Sequence, residues 1–170
     1  FSGGDEPDGA GKFITAFMRN EGVSAGIKSL LEGRGGLILG ICNGFQALIK
    51  LGLVPYGKIV EPSSDQPTLT YNTIGRHQSR MVRLRLASVQ SPWLQALDPK
   101  TIYTAPISHG EGRLIADPGL INDLFQKGQV ATQYVDFAGN PSMDIFHNPN
   151  GSIAAIEGLL SPDGHVFGKM

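Results

Sequence analysis

Cysteine is nearly absent from this sequence, because Cys42 is the only one among 170 residues. A single thiol cannot form a disulfide within the chain, which argues against a small secreted disulfide scaffold and favours a cytoplasmic setting. One cysteine and four scattered histidines also lack the spacing of metal ligands, so no metal site is expected. The thiol is then either buried and inert or chemically reactive.

Excess positive charge and long apolar runs are also missing. The formal net charge is −1 and the isoelectric point is near 6.5, which leaves no electrostatic basis for nucleic-acid binding. Hydrophobic residues make up 41% of the chain, yet the longest apolar runs fall far short of the roughly 20 residues that span a bilayer. We expect a soluble chain with neither a nucleic-acid nor a membrane partner.

The length fits one domain, residues 1–170. The chain begins at Phe1 inside a loop rich in Gly and Asp, and it stops within residues 166–170, which have the pattern of a strand. We therefore interpret it as a single domain truncated at both ends.

Apolar periodicity predicts alternating helices and strands. A buried strand at residues 36–41 lies between helices at 23–31 and 43–51, a pattern typical of an α/β fold with parallel strands. Alternating apolar and charged residues at 81–86 predict a half-exposed antiparallel strand. The remaining predicted elements are helices at 12–19 and 118–126 and strands at 102–107, 129–135, 152–156 and 166–170.

The residues GICNGFQ, at positions 40–46, lie where the predicted buried strand turns into a helix. Glycines two residues either side of Cys42 remove Cβ atoms that would clash on a strained turn, as in a nucleophile elbow. The turn exposes the thiol, and the helix N-terminus favours the thiolate that attacks. The pattern predicts Cys42 as a nucleophile and the N–H of Asn43 as an oxyanion donor, typically worth about 3–4 kcal/mol.

An inert cysteine at a strand end is the alternative interpretation. The flanking glycines, the position between strand and helix, and Gln46 one helical turn later favour the reactive one. The glycines at residues 33–36 are interpreted as a helix stop, because they lack the Gly-Lys-Ser/Thr ending of a phosphate-binding loop.

The GICNGFQ motif resembles that of class I, triad-type glutamine amidotransferases, and its CNGFQ form is similar to that of the phosphoribosylformylglycinamidine synthase family. Residues 1–9, 107–112, 134–140 and 148–152 occur in the order that this family shows, so the resemblance covers nearly the whole chain. It implies a Rossmann-like α/β amidotransferase fold. Such a fold has a mostly parallel central sheet flanked by helices, plus a smaller antiparallel β element.

The resemblance also implies a reaction. Cys42 would attack the side-chain amide of glutamine, form a glutamyl thioester and release ammonia. A synthetase module of the same or a partner chain would use that ammonia, with ATP and Mg²⁺, to convert formylglycinamide ribonucleotide into its amidine in purine biosynthesis. No cofactor is expected in this domain. The residues implied in glutamine binding are Gln46, Phe45, Ser108, His109, Gly110 and Glu111, the last four largely through backbone groups.

Two features of the family are missing. A Pro-Gly-Gly turn that supplies a second oxyanion donor would precede Phe1, and a His-x-Glu pair that supplies the general base would follow Met170. General acid–base catalysis typically contributes about 10²–10⁴-fold, so the 170 residues alone are expected to be impaired or inactive. His109 and His165 are the candidate substitutes for the base, but His109 is interpreted as a structural or binding residue and His165 as a solvent-facing turn residue.

Two other functions stay open at this point. The chain could be a catalytically silent module that binds glutamine or docks on a synthetase, or it could be another cysteine hydrolase of related fold. Gln46 and the 108–112 segment argue against a peptidase, which needs no clamp for a glutamine-sized amino acid.

Overall fold

A computed structural model describes Phe1 and residues 11–170 of the chain. The predicted opening loop at residues 1–9 therefore lies, apart from Phe1, outside the described residues. The helices are α1 (Lys12–Met18), α2 (Glu21–Lys28), α3 (Asn43–Leu51), α4 (Leu53–Tyr56) and α5 (Pro118–Gln126). The strands are β1 (Ile38–Ile41), β2 (Thr68–Thr70), β3 (Gln78–Leu86), β4 (Tyr103–His109), β5 (Arg113–Ile115), β6 (Val130–Tyr134), β7 (Ile156–Leu160) and β8 (Val166–Lys169).

Six of these strands form one sheet in the order β1-β8-β7-β6-β3-β4, and β2 pairs with β5 in a separate antiparallel sheet. The α/β class and the smaller antiparallel element are thus confirmed. The expectation of a mostly parallel sheet needs correction, because among the described residues only β1 and β8 pair in parallel. The other pairs in the large sheet are antiparallel, so the sheet is mixed.

The ends of α3 and α5 follow from local sequence. Helix α3 ends at Gly52, whose φ of 82° is the left-handed conformation in which glycine commonly terminates helices. Helix α5 begins at Pro118 after Asp117, whose Oδ1 accepts hydrogen bonds from the N–H groups of Gly119 and Leu120. Both helices have the bounds that the sequence predicts.

The second predicted helix is divided between two conformations. Helix α2 spans Glu21–Lys28 and continues as a π-helical turn at Ser29–Gly33. The sequence pattern predicts one uninterrupted helix because the apolar positions of the two parts lie on one face.

The strand predicted at residues 152–156 is wrong. Ile153–Ala155 form a 3₁₀ turn, and the strand β7 begins only at Ile156. The cause lies in buried side chains: Asn148 and Asn150 both accept from the N–H of Ser152 and hold the preceding segment as a turn.

The main hydrophobic core lies between the large sheet and helix α3. It contains Phe45, Leu48 and Leu51 of the helix together with Leu159 and Val166 of the sheet. The Cβ of an alanine at position 168 would overlap the ring of Phe45, so glycine there allows the helix to pack closely on β8. Close packing fixes the N-terminus of α3 relative to the end of β1.

Strand β1 is less buried than predicted. Ile38 is buried, but Leu39 is half-buried and Ile41 is exposed. On the side away from β8, the backbone of Phe1 bonds to β1: its amino group donates to Leu39 O, and its carbonyl accepts from Ile41 N. Among the helices of residues 11–170, none is both long and apolar enough to cross a membrane.

Candidate active site

Cys42 occupies the single residue between β1 and α3. Its backbone has φ 54° and ψ −111°, a combination that residues with a side chain rarely adopt. Its N–H donates to the carbonyl of Lys169 at 2.9 Å, which ties the turn to the end of β8. The side chain is half-buried. The structure therefore has the strained turn of a nucleophile elbow at Cys42.

The flanking glycines are required by space. A Cβ at position 40 would lie 2.5 Å from Leu48 Cδ1 and 2.7 Å from the carbonyl oxygen of Gly44. A Cβ at position 44 would overlap the carbonyl of Phe1. The sequence argument for these glycines is thus confirmed, since larger side chains would push apart the two arms of the turn.

Helix α3 begins immediately after the nucleophile candidate. Asn43 is its first residue and is buried, and the carbonyl of Cys42 accepts from the N–H of Gln46 at 3.0 Å to close the first turn. Backbone N–H groups in a first helical turn have no acceptor within the helix and give that end a partial positive charge. The end of α3 that lies next to the thiol can therefore stabilise negative charge.

A loop from a distant part of the chain lies beside Cys42. Its Sγ is 3.9 Å from the carbonyl oxygen of Ser108, and Nε2 of Gln46 donates to the carbonyl of Glu111 at 2.7 Å. Residues 108–112 comprise the end of β4 and the connection that leads to β5, and we call them the 108–112 loop. The fold therefore brings together the two segments that the sequence singles out, which are more than 60 residues apart.

His109 lies on the inner side of this loop. Its side chain is buried, and its Nδ1 lies 3.2 Å from Oδ1 of Asn72. Burial, reinforced by the charge of His77, lowers the pKa of His109 to about 4. The ring is therefore neutral at physiological pH.

The side chain of Ser108 is hydrogen-bonded on the protein surface by a second histidine, His77. Nε2 of His77 lies 2.9 Å from Oγ of Ser108, and both side chains are exposed. His77 and Asn72 both precede β3, in the polar stretch at residues 55–79 that shows no motif.

Within the described residues, no group of three or more His, Cys, Asp or Glu side chains could hold a metal ion. The arrangement around Cys42 is that of a nucleophile on a strained turn, with a helix N-terminus on one side and a loop of backbone carbonyls on the other. Such geometry suits attack by the thiol on a carbonyl carbon.

The sequence pattern of the CobB/CobQ-like glutamine amidotransferase domain matches residues 1–170. The chain belongs to this family. The phosphoribosylformylglycinamidine synthase subunit PurQ of Treponema denticola is 37% identical over an alignment of 146 residues, which covers 78% of this chain and 53% of the relative. The PurQ subunit of Thermomicrobium roseum is 38% identical over 133 residues, covering 78% of this chain and 51% of that protein.

A solved structure has the same fold. The structure of PurLQS from Thermotoga maritima matches with a TM-score of 0.65 and 29% identity, over 92% of this chain and 58% of that one. The chain thus spans about half the length of the curated relatives it matches.

Phe45, an expected site residue of this amidotransferase domain, lies away from the thiol, and so does His165, which is interpreted above as a solvent-facing turn residue and is half-buried. Phe45 is buried in the core over Gly168, where it packs and offers no surface to a ligand. His165 precedes β8 at the end opposite Cys42, because Ile38 pairs with Val166 and Ile41 with Lys169. A substrate role for Phe45 and a role as base for His165 have no support in this placement.

The remaining expected residues lie at the site. Gly110 and Glu111 are half-buried and Ser108 is exposed, so the 108–112 loop presents both backbone and side-chain groups. Oε1 of Gln46 is buried and has no hydrogen-bond partner among the described residues. Their roles in binding substrate stay predictions.

Proposed function

We propose that this amidotransferase domain hydrolyses glutamine and supplies ammonia to a phosphoribosylformylglycinamidine synthase reaction. One observation carries the proposal: a thiol on a strained turn between strand and helix, with its Sγ 3.9 Å from a loop that also bonds Gln46. The names of the relatives and of the PurLQS structure support this choice of reaction among those of the family.

In the proposed reaction, Sγ of Cys42 bonds to the side-chain carbonyl carbon of glutamine. The carbonyl oxygen becomes an oxyanion facing the N–H of Asn43 and the N-terminus of α3, where the helix dipole stabilises its charge. The C–N bond then breaks, and ammonia leaves with the proton that a general base has taken. Water hydrolyses the thioester to glutamate and restores the thiol.

Glutamine would bind between α3 and the 108–112 loop. The unpartnered Oε1 of Gln46 can accept a hydrogen bond from the substrate, which would remove the cost of a buried acceptor without a donor. Backbone groups of Ser108, Gly110 and Glu111 would receive the amino-acid end. These contacts would select an amino acid with a short amide side chain.

The family resemblance implies a general base from a His-x-Glu pair in the chain that would follow Met170. Because the carbonyl of Lys169 bonds the N–H of Cys42, a base at that point would enter beside the thiol. His109 is not suited to the task, since its ring is buried and hydrogen-bonded to Asn72. The 170 residues without this pair would hydrolyse glutamine poorly.

The ammonia would pass to a synthetase module that binds ATP and Mg²⁺, either in the same chain or in a partner chain. Neither the ATP site nor the Mg²⁺ site is assigned to residues of this domain. The cytoplasm would be the compartment of this reaction.

The full-length protein and its Cys42→Ala variant test the proposal. We expect the variant to lose glutamine-dependent synthesis and labelling by a glutamine-analogue electrophile, and to keep ammonia-dependent synthesis, because the thiol acts only on glutamine. Glutamine use that survives the substitution would show that Cys42 is not the nucleophile. An unlabelled wild-type protein would instead favour a silent binding or docking module.

A further inference from the structure

Asn72, in the segment between β2 and β3, is 2% exposed, and both the nitrogen and the oxygen of its side-chain amide make hydrogen bonds. Its Nδ2 donates to the carbonyls of His109 at 2.9 Å and Arg76 at 3.2 Å. Its Oδ1 accepts from the N–H of Gly112 at 3.1 Å and lies 3.2 Å from Nδ1 of His109. The backbone N–H of Asn72 also donates to the carbonyl of Gly110 at 2.9 Å.

These contacts saturate the asparagine, which has two donors and one oxygen with two lone pairs. Four of the five contacts end on the 108–112 loop, at residues 109, 110 and 112. Ser108 and His109 also pair with β3, and beyond that pairing the loop is bonded by Asn72 on one side and by Gln46 on the other.

The same contacts fix the state of the His109 ring. Oδ1 of Asn72 already accepts from Gly112 and can only accept from the ring, so Nδ1 of His109 carries the proton. Nε2 is then the ring's acceptor, and it is buried without a partner among the described residues. Asn72 thus sets both the position of the loop backbone and the tautomer of its buried side chain.

We propose that Asn72 is a positioning residue for glutamine, which holds the 108–112 loop at the distance from Cys42 that the substrate requires. The inference rests on the proposed function, and it adds a residue that touches neither the thiol nor the substrate. Ser108 O, 3.9 Å from Sγ, and Glu111 O, bonded to Gln46, both belong to the segment that Asn72 holds.

Aspartate at position 72 is the sharpest perturbation. It keeps the size and the oxygen that accepts from Gly112 and His109 but removes the two donors, so the carbonyls of His109 and Arg76 lose their hydrogen bonds. Its charge would also stabilise a protonated His109 ring. The loop should shift relative to Cys42 while the elbow, which Asn72 does not contact, stays intact.

Gln129→Glu is the matched control. Gln129 is also buried, and its Nε2 donates to two backbone carbonyls, those of Pro55 at 2.7 Å and Leu160 at 3.0 Å. The substitution makes the same chemical change, an amide to a carboxylate, without touching the 108–112 loop. It therefore reports the effect of lost stability alone.

The experiment compares full-length wild type, Asn72→Asp, Asn72→Ser and Gln129→Glu. For Asn72→Asp we expect the KM for glutamine to rise about tenfold or more, with labelling by a glutamine-analogue electrophile slowed to match. Alkylation of Cys42 by iodoacetamide, which needs no amino-acid site, should change by less than about twofold. Gln129→Glu should leave the KM unchanged.

Asn72→Ser guards against misfolding, since serine is small and keeps one donor and acceptor. We expect an intermediate KM from it. NMR of the His109 ring should show its pKa raised in Asn72→Asp and unchanged in Gln129→Glu.

The outcomes separate the two proposals. A wild-type protein without glutaminase activity would refute the proposed function and this inference with it. An active wild type, with an unchanged KM in both Asn72 variants, would refute the positioning role alone. Equal KM increases in Asn72→Asp and Gln129→Glu would also refute it, because a general loss of stability would then explain both.

Discussion

A buried ion pair links β7 and β8 close to the candidate active site. Removing one partner should lower the free energy of unfolding by a different amount than removing the other. Nζ of Lys169 lies 3.0 Å from Oε1 of Glu157, and the side chains are 21% and 0% exposed. Oγ1 of Thr132 donates to the other carboxylate oxygen at 2.5 Å. Lys169 also donates to the carbonyl of Met170. The carboxylate is thus wholly enclosed, whereas the ammonium reaches solvent.

Lys169→Met should be the more damaging substitution. It leaves a fully buried carboxylate with one neutral donor, and an unpaired buried charge of this kind typically costs about 3–5 kcal/mol. Glu157→Gln keeps an acceptor for Thr132 and leaves an ammonium that water can solvate, so we expect a loss of about 1–2 kcal/mol. The double variant removes both charges and should be more stable than Lys169→Met alone.

Urea denaturation of the full-length protein at pH 7 measures these differences. In thermal unfolding, the same asymmetry of about 2 kcal/mol corresponds to a gap of about 4–8 °C in Tm for a domain of this size. Equal destabilisation by the two single variants would refute the argument from unequal exposure. Strict additivity in the double variant would show that the two charges do not interact.

Two further predictions concern the site. Cys42→Gly should be more stable than Cys42→Ala by about 0.5–2 kcal/mol. Glycine relieves a strain of about 1–3 kcal/mol at positive φ, but it loses more chain entropy on folding, which offsets part of that gain. Equal denaturation midpoints would show that the turn is not strained. The pKa of His109, about 4 when folded against 6.5 when unfolded, means that the unfolded chain binds the extra proton between these values. Stability should therefore fall by about 3 kcal/mol from pH 6.5 to 4, and unfolding curves of His109→Asn should lack that slope.

Much of the fold can be predicted from local sequence where local groups determine it. Helices α3 and α5 have the predicted bounds because Gly52, and Asp117 with Pro118, terminate or cap them without help from distant residues. The short strands β2 and β5 could not be predicted. Each has three residues, and each exists only because it pairs with the other.

The residues of the candidate site likewise fall into those that adjacent sequence predicts and those that depend on distant contacts. The elbow at Cys42 is visible in sequence because its glycines are adjacent to it, and the resemblance to a known family marks the 108–112 loop. Asn72 and His77 give no signal, since their partners lie more than 30 residues away in a loop whose position depends on the whole sheet. Phe45 was expected at the site because it belongs to the motif, but its helical position turns it toward the core.

The distance between thiol and loop is a property of the entire sheet. Strand β1 carries Cys42 at one end of the strand order, and β4 carries Ser108 at the other. Between them, β6 and β7 pair with register irregularities around Thr132. A register shift of this kind bends the strand that carries it, so we expect a single-residue insertion there to move Ser108 away from Cys42 in a protein that still folds.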